Sequence, residues 1–267
     1  MQGQSPGRTS ATFAYLAMLF LLLPLAAVVP VSFTGRRFLS MPEGDWSLRH
    51  YQALATSPEW LGSIGTSFTI AVACAIVSTI LATLFSLGIW YRRPGLTPVL
   101  VGFVLLPMAV PPIISALVLY FFATSIDLYD TVPGVVIAHV VVAVPYAVVT
   151  ILVALTQVDR RIELAARNLG ASIWQTTFLV LLPNIKLGIA SAAFLSFILS
   201  WEEIAVTLFV TSFEIITLPR RIWSGLRDNI DPVIAAVSVF LIAITVTAIV
   251  IRMIVQARQG RAGGGQT

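Results

Sequence analysis

Two adjacent glutamates, Glu202 and Glu203, stand in the apolar stretch FILSWEEIAVTLF. A carboxylate near the centre of a bilayer costs roughly 2.5–3.5 kcal/mol on insertion scales, so two of them facing lipid is an unfavourable arrangement. Successive helical positions diverge by about 100°, so at most one of the pair faces a lumen squarely. Trp201 precedes them. An anionic site flanked by an indole suits a cationic amine, through ion pairing and cation–π attraction. Two readings stay open: a substrate pathway formed by Trp201, Glu202 and Glu203, or a structural pair with Arg220, Arg221 or a partner chain. His139, in IAHVVVAVPY, reads as a helix–helix hydrogen bond more readily than as a proton relay. GxSxG and HExxH are absent, and the two histidines, His50 and His139, lie in different segments, so no catalytic residue is assigned. The single cysteine, Cys74, lies in an apolar run and offers neither a disulfide framework nor a thiol metal site. The one lysine, Lys186, follows LLPNI, which rules out a GxxxxGK[ST] phosphate loop. The chain is therefore expected to have no metal, no cofactor and no enzyme activity of its own.

A second constellation is DRRIELAARNLGASIWQTTFLVLLP, residues 159–183. Ile162, Ala165, Ala166 and Leu169 recur at helical spacing and form one narrow apolar stripe. Gly170 follows where a helix closes in the left-handed conformation. Ser172 and Gln175 have capping-box spacing for a second helix, and Pro183 precedes the next apolar run. The small alanines let another backbone approach. Two readings are again open: a docking hairpin for a soluble partner, or an interfacial helix with Arg160 and Arg161 on headgroups.

The elements that must position these groups are membrane spans. Of the 267 residues 58% are hydrophobic and 10% charged, with a mean hydropathy of +0.94. A soluble domain carries about a quarter charged residues. Six apolar runs reach spanning length, at 11–33, 64–90, 98–125, 132–156, 187–210 and 233–255. Strand-type alternation is absent, which disfavours a barrel. The first run is long for a signal-peptide core and reads as an uncleaved signal anchor. Pro107, Pro111 and Pro112 are expected to break the third span and Pro145 to kink the fourth. Trp90 and Tyr91 read as an interfacial anchor, and a short amphipathic helix is expected around 48–55.

With the N-terminus in the cytoplasm, ten of the 16 Lys/Arg residues fall on the cytoplasmic side. The six on the outer side share their loops with acidic residues. Both termini and the 157–186 loop are then cytoplasmic. The net charge of +4 is spread over short loops, so nucleic acid is not an expected partner. The organisation expected is a cytoplasmic tail at 1–10, a six-helix transmembrane domain at 11–256 and a disordered cytoplasmic tail at 257–267.

The hairpin resembles the "EAA…G…I.LP" loop of ABC importer permeases, through Ala165-Ala166, Gly170, Val180 and Leu182-Pro183. AHVVVAVPYAVVT, LLPMAVPP and TLPRRIWSGLR extend the resemblance along the chain, to the spermidine/putrescine branch. Leu164 stands at the motif's glutamate position, with Glu163 one residue earlier. The resemblance implies an all-α membrane protein of the type I ABC importer kind, with six transmembrane helices and a cytoplasmic coupling hairpin. It implies docking to an ATPase through Glu163, Ala165, Ala166, Arg167, Gly170 and Ala171. It implies as partners two ATPase subunits carrying ATP and Mg, a second homologous permease, an extracytoplasmic solute-binding protein and the lipid of a bacterial inner membrane. The function implied is half of a translocation pathway for a small solute, a polyamine or related amine. The competing function is a secondary transporter using Glu202 and Glu203 for proton coupling, which would carry more spans or an evident repeat.

Overall fold

The computed structural model describes residues 8–92, 95–229 and 231–263. Among these the backbone is helical throughout its ordered elements, with a lone antiparallel bridge between Thr34 and Trp46. The helices are α1 (Arg8–Val31), α2 (Arg49–Thr56), α3 (Pro58–Tyr91), α4 (Thr97–Ala109), α5 (Pro112–Ser125), α6 (Val132–Thr156) and α7 (Arg160–Asn168). They continue with α8 (Ile173–Thr176), α9 (Leu182–Asn184), α10 (Lys186–Glu202), α11 (Ala205–Val210), α12 (Leu218–Ser224) and α13 (Val233–Gly263). Wider π turns occupy Thr177–Leu181 and Gly225–Asn229.

The third apolar run breaks at Pro111 and Pro112 as expected, whereas Pro107 lies inside α4 and does not break it. Val110 and Pro111 are extended, and Pro112 opens α5 at a position where a helix needs no amide donor. The axes of α4 and α5 differ by 101°. The fifth run departs from expectation. The sequence suggests one span over 187–210, but α10 ends at Glu202, Glu203 is extended and a new helix, α11, starts at Ala205. Neither glycine nor proline stands at this break, so side chains must hold it. By length and composition three helices can cross a membrane, Thr12–Val31 in α1, α3 and α6, or up to five if the bent pairs α4–α5 and 173–184 with α10 each count as one. Val233–Thr247 is a shorter apolar stretch within α13. Helix α13 runs on to Gly263, through most of the predicted tail 257–267, and α1 starts at Arg8 within the predicted tail 1–10. Residues 1–7 and 264–267 lie outside the described residues.

The chain divides into two compact units, 1–61 with 222–267, and 62–221. In the first, α13 packs against α1 and α2. Helix α2 is the short helix expected around 48–55; it buries His50 and Leu54, and His50 Nε2 lies 3.0 Å from the Arg36 carbonyl oxygen. In the second, α10 lies along α6. The approach there is close enough that a Cβ on Gly188 would sit 2.2 Å from the Ala154 Cβ. Small residues at such contacts are how membrane helices gain packing energy without a hydrophobic drive between them. One core cluster joins Ala82, Leu87 and Trp90 of α3 to Val148 and Ile151 of α6 and Ala192 of α10. A second joins Ile70 of α3 to Leu119 of α5, Ala138 of α6 and Val206 and Val210 of α11.

Candidate functional site

Two sites in the 62–221 unit carry the sequence-predicted residues. The first is the hairpin. Asp159 caps α7 by accepting the Arg161 amide at 2.9 Å, and Glu163 in its first turn complements the helix dipole. Gly170 has φ +88°, the left-handed turn the sequence predicts, and the Ser172–Gln175 capping box opens α8. Beyond it the ladder widens to a π turn in which the Leu182 amide donates to the Thr177 carbonyl. Pro183, without an amide, cannot restore the ordinary pattern there.

The Glu163 carboxylate of α7 turns inward, while the arginines and most of the apolar stripe remain exposed. Glu163 is 8% exposed, and its Oε2 accepts the Trp90 indole N–H at 2.8 Å. The Arg160 guanidinium lies 4.6 Å over the Trp90 ring, and Arg167 approaches Glu163 Oε1 at 3.8 Å. A hydrogen bond to a buried carboxylate contributes about 1.5–3 kcal/mol, and a cation–π contact about 0.5–2 kcal/mol. Tyr91 O–H donates to Thr177 Oγ1 at 2.7 Å, because the Thr177 proton is committed to the Ile173 carbonyl. Trp90 and Tyr91 are therefore fasteners for the hairpin, and the sequence reading of them as interfacial anchors is corrected. Their partners lie 73 and 86 residues away, which no local pattern reveals.

On the opposite side Ile162, Leu164 and Ala165 are exposed, and Leu169 is 90% exposed. Arg167 and Gly170 are exposed, while Ala166 and Ala171 are half-buried. Of the residues that the resemblance assigns to ATPase docking, Glu163 is thus the one that is buried.

The second site is the break after α10. Glu203 Oε1 accepts the Val206 amide at 3.0 Å, so this carboxylate satisfies an orphan donor in the first turn of α11. His139 bridges the two sides of the break. Its Nδ1 lies 2.8 Å from Ser200 Oγ and its Nε2 3.1 Å from Thr207 Oγ1. The Thr207 hydroxyl donates to the Glu203 carbonyl, so Nε2–H donates to Thr207, and Nδ1 accepts from Ser200. His139 therefore makes the helix–helix hydrogen bonds expected of it, tying α6 to both α10 and α11. Glu202 is exposed, and Trp201 beside it is half-buried and stacked on Phe197 at 5.8 Å. Arg220 hydrogen-bonds Thr211 and the Ile215 carbonyl, so its role lies in the loop over 211–217.

That loop is latched by Asp130, which itself takes φ +55°. Its carboxylate accepts the amides of Phe213, Glu214 and Ile215 at 2.8, 3.0 and 3.1 Å. Burial pushes the Asp130 carboxyl up, but the backbone donors outweigh it and hold it below its ordinary value. Burial lowers Arg220, with Asp130 opposing. No local pattern reveals this latch, because Asp130 and the amides it accepts lie 83 to 85 residues apart. Among the described residues no group of three or more His, Cys, Asp or Glu side chains could hold a metal ion.

Residues 85–260 match the family described as binding-protein-dependent transport system inner membrane component. The chain is 26% identical over 261 residues to the spermidine/putrescine transport system permease protein PotC of Shigella flexneri, covering 97% of this chain and 96% of that protein. It is 29% identical to the putrescine transport system permease protein PotI of Escherichia coli K12, over 85% of this chain and 83% of that one. A probable molybdenum ABC transporter permease of Haloferax volcanii is 34% identical over 70% of this chain and 73% of its own length. Among solved structures, a bacterial ABC transporter involved in the import of the acidic polysaccharide alginate superposes with a TM-score of 0.69 at 16% identity, covering 95% of this chain and 99% of that one, a likeness of fold. These relatives are transport subunits and not enzymes, and they do not favour the secondary-transporter alternative. The hairpin, the broken spans and this family match lead to one conclusion: the chain belongs to the binding-protein-dependent inner membrane components and is a multi-pass permease subunit of an ABC importer.

Proposed function

We propose that this permease imports a small cationic amine of the polyamine kind, delivered by an extracytoplasmic binding protein. The observation that carries the substrate class is the difference between the two glutamates. Glu203 is occupied in capping α11, whereas Glu202 is exposed beside Trp201. An exposed carboxylate in a membrane-spanning region is stable where it lines a water-filled route or meets a charge. The relatives named above carry chemically different cargoes, so the family alone does not choose among them; the acid and the indole favour a cation. Six spans with both termini in the cytoplasm fit the six apolar runs and the Lys/Arg distribution.

In this reading a second homologous permease completes the pathway, and two ATPase subunits supply ATP and Mg chemistry. The exposed face of α7, with Ile162, Ala165, Ala166 and Leu169, seats on the ATPase together with Arg167, Gly170 and Ala171. An apolar stripe that the described residues leave largely uncovered is stable on such a partner. The test is purification of the assembly from its native membrane followed by reconstitution with its binding protein. ATP-dependent uptake of spermidine or putrescine is the expected result. Uptake of neither amine, with ATP-dependent uptake of an anionic solute, would overturn the substrate assignment.

A further inference from the structure

Resting on the reading that α7 docks on an ATPase, we propose that Glu163, Trp90 and Tyr91 form the linkage that passes movement of the hairpin to α3, and that α3 carries it to the break beside Glu202. Glu163 and its two partners are then positioning residues: they touch no substrate and act through the helix they fasten.

Both halves of the hairpin are fastened to the same turn. Trp90 Nε1–H reaches Glu163 of α7, and Tyr91 O–H reaches Thr177 just past α8. The Trp90 indole packs into the core cluster on one side and is fixed by these bonds on the other. A cavity of about 410 Å³ borders it, lined by Ser86, Ile89, Leu155, Thr156 and Arg160. The buried Ser86 Oγ on that cavity has no hydrogen-bond partner among the described residues. A ring with open space beside it follows the group that holds it.

Helix α3 is built to transmit displacement along its length. It has 34 residues, uncharged from Leu61 to Tyr91 and with no proline past Pro58. At about 1.5 Å per residue it is roughly 50 Å long, longer than the ~30 Å hydrocarbon layer. Twenty residues before Trp90, Ile70 packs in one cluster with Val206 and Val210 of α11. Ser67, one turn further on, accepts the Leu218 amide at 2.7 Å. The helix thus meets the hairpin at one end and the segments after the break at the other.

The experiment uses the full assembly in vesicles and measures solute imported per ATP hydrolysed. Glu163→Leu and Trp90→Phe are each expected to lower this ratio at least about fivefold, with the double variant no worse than either single one, since both cut one linkage. Glu163→Gln keeps an oxygen for the indole N–H and is expected to stay within about twofold of the unmodified chain. Cross-linking from Ala165→Cys to the ATPase, on the same preparations, reports docking separately; Cys74 is fully buried and does not compete. An unchanged ratio in Trp90→Phe overturns the linkage. So does a Glu163→Gln ratio as low as that of Glu163→Leu, because the carboxylate would then act by charge on a partner. Absence of the Ala165→Cys cross-link in the otherwise unmodified chain removes the docking reading, while the ratio still judges the linkage.

Discussion

The hairpin and the break after α10 dispose their polar groups in opposite ways. In the hairpin the carboxylate of Glu163 turns inward to Trp90, and the apolar stripe from Ile162 to Leu169 is left uncovered. At the break Glu203, His139, Ser200 and Thr207 satisfy one another and the backbone, and the adjacent Glu202 alone stands exposed. A segment that tucks one carboxylate inward and shows apolar surface is shaped for a protein partner. A membrane-embedded break that consumes its own polar groups is shaped for stability, apart from the one group left over. The difference teaches that residue type alone misleads here. Of the four acidic side chains at these sites, Asp159, Glu163 and Glu203 are held within the chain, and Glu202, without a partner among the described residues, is the candidate for solute.

The largest effect expected from breaking this contrast is at Gly170. At φ +88° a β-branched side chain is strained by about 1–3 kcal/mol whatever space surrounds it. Gly170→Val is expected to abolish ATP-driven uptake in vesicles while ATP hydrolysis persists. Normal uptake would show that the turn does not orient the docking face.

Next in size is His139→Leu, which leaves the buried hydroxyls of Ser200 and Thr207 without their ring partner. The Thr207 hydroxyl keeps its bond to the Glu203 carbonyl, so the cost falls mainly at Ser200, where a buried group left unpaired costs about 1–3 kcal/mol. A clear drop in the thermal unfolding midpoint of the purified chain is expected. An unchanged midpoint would mean that the break is held without the imidazole.

The glutamates sharpen the contrast further. Glu202→Gln is expected to reduce uptake of a cationic amine about tenfold or more, the scale of one lost ion pair in a desolvated site. Glu203→Gln keeps an oxygen for the Val206 amide and is expected to change uptake far less. Equal losses from both, or a larger loss from Glu203→Gln, would move the pathway to the capped residue.

The smallest effect is expected in the loop over 211–217. The Asp130 carboxyl is held below its ordinary value by the backbone amides it accepts. Its contribution to stability is therefore present above the unfolded carboxylate pKa of about 3.9 and is lost as pH falls through the lower folded value. Unfolding midpoints measured from neutral to acid pH are expected to show this loss, and Asp130→Asn is expected to remove that part of the acid dependence. An identical pH profile in the variant would show that the latch is not a source of stability.

The sequence made the hairpin legible because its signals are local. A helical stripe, a glycine at the closing position and a capping box all lie within a dozen residues, and each appears where expected. The bend at Pro111 and Pro112 was legible for the same reason. The break at Glu203 was not, because no helix-breaking residue marks it. Its causes are a side-chain cap and a histidine more than 60 residues earlier. Trp90 and Tyr91 were misread because aromatic residues at a span's end have a ready general explanation in the membrane interface, and their true partners are far along the chain.

The most direct test of the central claim is a cysteine scan of α7 in the assembled transporter, with the ATPase subunits present. Cysteines replacing Ala165, Ala166 and Leu169 are expected to cross-link to the ATPase, and a cysteine replacing Glu163 is expected to remain within the permease. Labelling of all four positions by lipid-soluble probes, with no cross-link to the ATPase, would contradict the account and make the hairpin a membrane-surface helix.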